Sequence, residues 1–312
     1  MPSMYSLPLE LKRHILGYCN IQDIAALAQA SAPLNVIAHD YIEHCLHVMT
    51  ATFFGSTKTL KSILRACDAV VLGLCALHIL LPANETSWSP PNLDIYVSCR
   101  YLASISVLLE REGYEIVRQQ SINGGPHDSS SIRAVVSFSN TRQCIDVIVS
   151  TTAAAVSPIF ECHSTAVMNF IMADSVFCAY PALTLRLMSM VNPGPVYFGP
   201  WGVKTMQALI KYGARGFRLV PCNDVHGLSA VFRSMPRSIT DRDCLWVNTN
   251  MMSCVTMSPS DVFYSLGFIN LIWLLGGYIC GATYPFIRAQ CFLIEDDSHD
   301  LLGPHFLGSV EF

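Results

Sequence analysis

The sequence predicts an α+β protein: a helical N-terminus, then a short mixed β-sheet flanked by helices. Three observations predict it. Apolar residues recur at helical spacing in three segments between residues 5 and 47. Leu93, Ile95 and Val97 alternate with Asp94, Tyr96 and Ser98 at period two. Two further β-branched runs, Ile132 to Ser139 and Cys144 to Ser150, are joined by Asn140-Thr141-Arg142, a hairpin signal.

The elements follow in order. Pro8 stands where a first helical turn tolerates it, and Leu11, Ile15 and Leu16 fall at helical spacing behind it. Asn20 or Gln22-Asp23 caps a second helix from Ile24 to about Gln29, and Leu34 to Leu46 reads as a third. Such a module, residues 1 to 48, is near the lower size limit for folding alone. Thr50 to Cys67 reads as an amphipathic helix with Lys58, Lys61 and Arg65 on its wet side. Ala69 to Leu72 is a short strand ending at Gly73, and Cys75 to Leu81 supplies helical turns. Residues 99 to 112 form a helix stopped by Gly113, and Tyr114 to Arg118 a strand. Ser121 to Ser131 is loop-like. Ser164 or Thr165 is read as the cap of a buried helix running to about Ala173, and Trp201 to Tyr212 as a helix ended by Gly213. Residues 49 to 220 make one α+β domain on this reading, and 221 to 312 an extension packed on it.

Val262 to Ala282 lacks charge and is long enough to span a membrane. Ser265, Asn270, the Gly276-Gly277 pair and the lack of an adjoining basic cluster argue for a buried helix over 260–275 instead.

Composition narrows the class. Of 312 residues, 52% are hydrophobic and 13% charged, against roughly 25% charged in ordinary domains. A chain this apolar is expected to fold over most of its length. A net charge of −4 without a long basic run argues against non-specific nucleic-acid binding. Thirteen cysteines, with no Cys-x-x-Cys pair and no secretory signal in the opening residues, point to an intracellular protein with free thiols.

Asp94 and Asp146 sit in similar strand settings. On neighbouring strands, two carboxylates would make a hard oxygen site for Mg²⁺, the geometry of metal-assisted phosphoryl transfer. The alternative is that Asp94 is a solvated residue on an edge strand. His39, His44, Cys45 and His47 on the third helix suit zinc by type but not by spacing. Arg215 and Arg218 offer phosphate contacts or ordinary solvated charges, and His163 a ligand contact or a core hydrogen bond.

The ordered set LGLCAL (72–77), NLDIYVS (92–98), EGYEIV (112–117), CIDVIVS (144–150) and HSTAVMNFI (163–171) resembles the nucleotidyltransferase fold. It is most similar to the divergent nucleotidyltransferase-like proteins of mushroom-forming fungi. The resemblance implies a nucleotide site at Gly73, Asn92, Asp94 and Asp146, with Mg²⁺ on Asp94 and Asp146 and a nucleoside triphosphate as ligand. The chain departs from the family pattern in having Gly73-Leu74 for Gly-Ser or Gly-Gly, and Asn92 for the first acid. A neutral amide ligates Mg²⁺ weakly, and phosphoryl transfer rests on charge neutralisation. A working enzyme would need a third carboxylate, for which Glu85 is the nearest in sequence.

The string LPLELKRHIL followed by IQDIAALAQAS resembles the F-box, without its late Trp. That resemblance implies contact between Leu7, Pro8, Leu11, Ile15, Leu16, Ile24 and Leu27 and the small adaptor subunit of cullin-RING ubiquitin ligases. The alternative is an N-terminal helical cap packed on the next domain. Together the two resemblances imply a non-catalytic or weakly catalytic interaction protein, the alternative being a Mg²⁺-dependent nucleotidyltransferase acting on a protein, RNA or small-molecule acceptor.

Overall fold

A computed structural model describes residues 4–121, 131–141, 143–192, 202–220, 237–255, 270–273, 275 and 292–294. It is an α+β fold in which N-terminal helices precede a large mixed sheet flanked by helices.

Helices α1 (Leu9–Leu16), α2 (Ile21–Ala30) and α3 (Ala32–Thr50) form the N-terminal layer. The start of α2 is fixed by a capping box: the Asn20 side chain accepts from the Asp23 amide, and the Asp23 side chain accepts from the Asn20 amide. Ser31 caps α3 through its hydroxyl, with Pro33 in the first turn. The amphipathic helix expected over 50–67 is shorter, α4 (Thr57–Ala66), because Ser56 caps it after a turn. Next come β1 (Val70–Leu72), α5 (Leu74–Leu80), β2 (Leu93–Ser98), α6 (Leu102–Arg111), β3 (Glu115–Ser121), β4 (Ile132–Ser139) and β5 (Cys144–Ser150). They are followed by β6 (Asn169–Ile171), β7 (Ser175–Cys178), α7 (Pro181–Thr184), β8 (Met188–Met190), α8 (Gly202–Ala214), β9 (Arg218–Val220), β10 (Arg237–Ser238), β11 (Leu245–Asn248), β12 (Ser253–Cys254), β13 (Asn270–Trp273) and β14 (Phe292–Ile294).

The main sheet is not short. Its nine strands run β12-β11-β7-β6-β1-β2-β5-β4-β3. All neighbours are antiparallel except β2 and β5, which are parallel. A parallel pair needs a crossover, and α6 with the β3–β4 hairpin provides it. Residues 245–254, in the expected C-terminal extension, supply β11 and β12 and so complete this sheet.

Both faces of the central strands are covered, which is why β1 is an unbroken apolar run rather than an alternating one. Val71, Leu93, Ile95, Val97, Ile145, Val147, Val176 and Val247 face a core shared with α2, α3, α4, α5 and α6. Leu16, Ile21, Ile24 and Ile42 belong to that same core, so the N-terminal helices are continuous with the sheet. Val70, Leu72, Phe170, Phe177 and Trp246 face the other way, into a second core with Phe160, Tyr180 and Trp273. Phe170 stacks on Phe177 at 4.6 Å, and Phe160 on Trp273 at 4.1 Å between ring centres. Arg237 is buried here over the rings of Tyr180 and Trp273, donating to the Ala179 carbonyl at 2.8 Å. Burial of this guanidinium is tolerated because carbonyl, carboxylate and aromatic faces all receive it.

Two expected helices are corrected. The helix read from Ser164 to Ala173 is a short 3₁₀ turn, Thr165–Val167, followed by β6. A fully buried strand shows no alternation, so a short apolar run there is ambiguous between the two states. The apolar helix over 260–275 fails at its C-terminal part, where Asn270–Trp273 is β13, paired with β10 and β14; residues 260–269 lie outside the described set. Gly213 lies inside α8 rather than at its end, and Gly216, at φ +93°, follows the helix. Among the described residues, no helix is long and apolar enough to cross a membrane.

Candidate functional site

The parallel β2–β5 pair sets Asp94 directly beside Asp146 in register. Their neighbours Leu93, Ile95, Ile145 and Val147 point into the helix-side core, so both carboxylates project from the opposite face. β2 is an interior strand, which removes the edge-strand alternative for Asp94.

Asn92 precedes β2 on the same side as Asp94 and reaches both acids. Its Nδ2 donates to Asp94 Oδ1 at 2.8 Å and to Asp146 Oδ2 at 3.2 Å. Ser137, on β4, donates from Oγ to Asp146 Oδ1 at 2.6 Å. The Asn92 carbonyl accepts from Cys75 Sγ at 3.7 Å. Gly73, between β1 and α5, lies beside Asp94. Its φ of +69° belongs to glycine, and a Cβ there would stand 3.0 Å from Asp94 Oδ2. Gly73 is therefore required twice, by conformation and by space.

Burial, then the charge of Asp146, raise the Asp94 carboxyl to about 6, while Lys211 on α8 pulls it down. Tyr96, two residues along the same face, is held protonated, mainly by burial. Burial pushes the Cys162 thiol up to about 12, so it is no thiolate nucleophile at neutral pH.

Around α8, Arg215 lies over Trp88 at 5.6 Å and Tyr212 at 5.2 Å, with Nη1 buried and unpartnered. The His163 ring is 5.3 Å from that of Tyr212; its Nδ1 is also buried and unpartnered, and burial lowers the imidazole to about 4. Arg218 is exposed and its Nη2 meets Met188 Sδ at 3.2 Å.

Glu85 does not supply a third carboxylate. It is exposed, on a 3₁₀ turn whose Asn84 amide donates to the Gly17 carbonyl, toward the N-terminal helices. Among the described residues no group of three His, Cys, Asp or Glu side chains could hold a metal ion, including His39, His44, Cys45 and His47 on α3.

The residues fit Mg²⁺ poorly. Three of the four carboxylate oxygens already accept N–H or O–H donors, and the amide stands between the acids where a bridging cation would need bare oxygens. Asn92, expected as a weak ligand, is instead a donor to both acids. Ser137 carried no signal beyond its place opposite Asp146 across the hairpin.

The N-terminal residues divide. Leu11 (49% exposed), Ile15 (45%), Leu9 (44%) and Tyr18 (55%) are open to solvent, Pro8 is exposed, and Leu7 and Leu27 are half-buried. Leu16 and Ile24 are buried in the core at 1% and 2% exposure and are not available to a partner.

No family model, no curated protein and no solved structure matches this chain.

Proposed function

We propose that this chain is an interaction protein. The outer face of α1 docks the small adaptor subunit of a cullin-RING ubiquitin ligase in an F-box-like manner, and the sheet is a nucleotidyltransferase-like domain without full catalytic equipment. Such a role belongs in the cytoplasm or nucleus. One observation carries the reading: Leu11 and Ile15 stand at i and i+4 on α1, both exposed, on a helix pinned from behind by Leu16, and exposed Tyr18 follows just past its end. Exposed apolar side chains at helical spacing are the anchors of helix-in-groove recognition. Pro8, the exposed N-cap residue three positions before Leu11, continues that side.

The test is co-purification of the full chain with recombinant adaptor. Leu11→Ser with Ile15→Ser should abolish recovery while leaving the unfolding curve unchanged. Equal recovery of the folded double variant would end the docking reading.

The in-register acids favour a second reading, a Mg²⁺-dependent nucleotidyltransferase, and the amide between them opposes it. Incubation with labelled nucleoside triphosphate and Mg²⁺ separates the two. Incorporation that disappears in Asp94→Ala would replace the interaction reading with the enzymatic one.

A further inference from the structure

We propose that Asn92 is a built-in substitute for a divalent cation: its amide latches Asp94 to Asp146, and the pair is closed to Mg²⁺ while the latch is in place. The inference concerns the acid pair alone and is independent of docking at α1.

Chemistry fixes the amide orientation. Ionised carboxylate oxygens only accept, so the group meeting both must be the NH₂ end of Asn92, whose two N–H bonds serve one acid each. A bridging cation would occupy this place, because it is the point common to Oδ1 of Asp94 and Oδ2 of Asp146. Ser137 holds a further oxygen of Asp146. Gly73 leaves Asp94 Oδ2 the space that a Cβ, 3.0 Å away, would crowd. Neutral donors thus stand where a dication stands in a metal site, with no ion to gain or lose. Residues 92 and 94 share one side of the strand. An acid at 92 would therefore remove the latch and bring a third carboxylate to the same point, a hard oxygen cluster that calls for a dication.

The experiment uses full-length protein and Mn²⁺, with free ion read by electron paramagnetic resonance, and thermal melts in Mg²⁺ against EDTA. The native chain should leave Mn²⁺ free and melt identically in both buffers. Asn92→Asp should bind Mn²⁺ at least about tenfold more tightly, as an added ligand charge brings. It should melt higher in Mg²⁺, and a second change, Asp146→Asn, should undo both effects. Folding of Asn92→Asp only in the presence of the ion supports the proposal equally. Should Asn92→Asp not fold at all, Asn92→Ala decides: new Mn²⁺ uptake is expected, and none overturns the latch. Uptake by the native chain that Asp94→Asn abolishes, or a folded Asn92→Asp without uptake, also overturns it. Adaptor capture is measured separately and can fail or succeed without touching these readings.

Discussion

Replacing Asp94 by Asn removes an acid that folding makes costly to ionise. Burial, then Asp146, raise its carboxyl from the usual 3.8 to about 6. At 1.36 kcal/mol per pKa unit, that gap places a penalty of about 3 kcal/mol on the ionised folded protein. Between about pH 4 and 6 the folded chain keeps a proton that the unfolded chain has lost. Stability from this group is thus fully present at low pH and lost as pH rises through about 6. His163 works in the opposite sense. Burial lowers it from 6.5 to about 4, so the unfolded chain takes up the proton first, and stability rises with pH across that window by a similar ~3 kcal/mol. In the native protein the two slopes offset each other; Asp94→Asn leaves the His163 slope alone. Urea unfolding in EDTA, followed at pH values from about 4 to 8, should show the stability of Asp94→Asn relative to native growing by about 3 kcal/mol. A difference that stays constant with pH, or shrinks as pH rises, would refute the account of the acid pair.

Three further outcomes follow from the geometry. Gly73→Ala should cost about 1–3 kcal/mol, from its positive φ and the close approach of Asp94 Oδ2, read as a lower urea midpoint with unchanged slope. Tyr114→Phe removes a buried hydroxyl that donates to the Phe53 carbonyl at 2.7 Å, and should cost about 1 kcal/mol in the same assay. Leu16→Ala should cost about 2–5 kcal/mol and Leu11→Ala under about 0.5 kcal/mol, because Leu16 is 1% exposed and Leu11 49%; equal losses would contradict the orientation of α1.

The strands with alternating residues were legible: β2, β4 and β5 lie where Leu93–Ser98, Ile132–Ser139 and Cys144–Ser150 place them. Asn20, one of the two caps the sequence offers, marks its helix through a local hydrogen bond with a local signature, whereas Ser31 caps α3 so that it begins at Ala32, two residues ahead of the start expected at Leu34. β6, β7 and β11 were not legible as one sheet with β1. Buried on both faces, they carry no period, and their partners lie far along the chain. The candidate site shows the same division. Strand alternation suggested that Asp94 and Asp146 face alike, and the parallel register completes that statement. What Asn92 does depends on a distance to Asp146 across a crossover, and no local pattern encodes it. Glu85 is the converse: near in sequence, yet carried off by the attachment of its turn to Gly17.

Adjacent residues of α1 have opposite fates: Ile15 meets water and Leu16 fills the interior beneath the sheet. A segment cut at residue 48 would carry away part of that interior, since Leu16, Ile24 and Ile42 share it with Ile95 and Val147. Neither fragment would keep a closed apolar surface. An intact α1 therefore advertises that the rest of the chain has folded, and anything gripping Ile15 from outside would select finished molecules over unfinished ones.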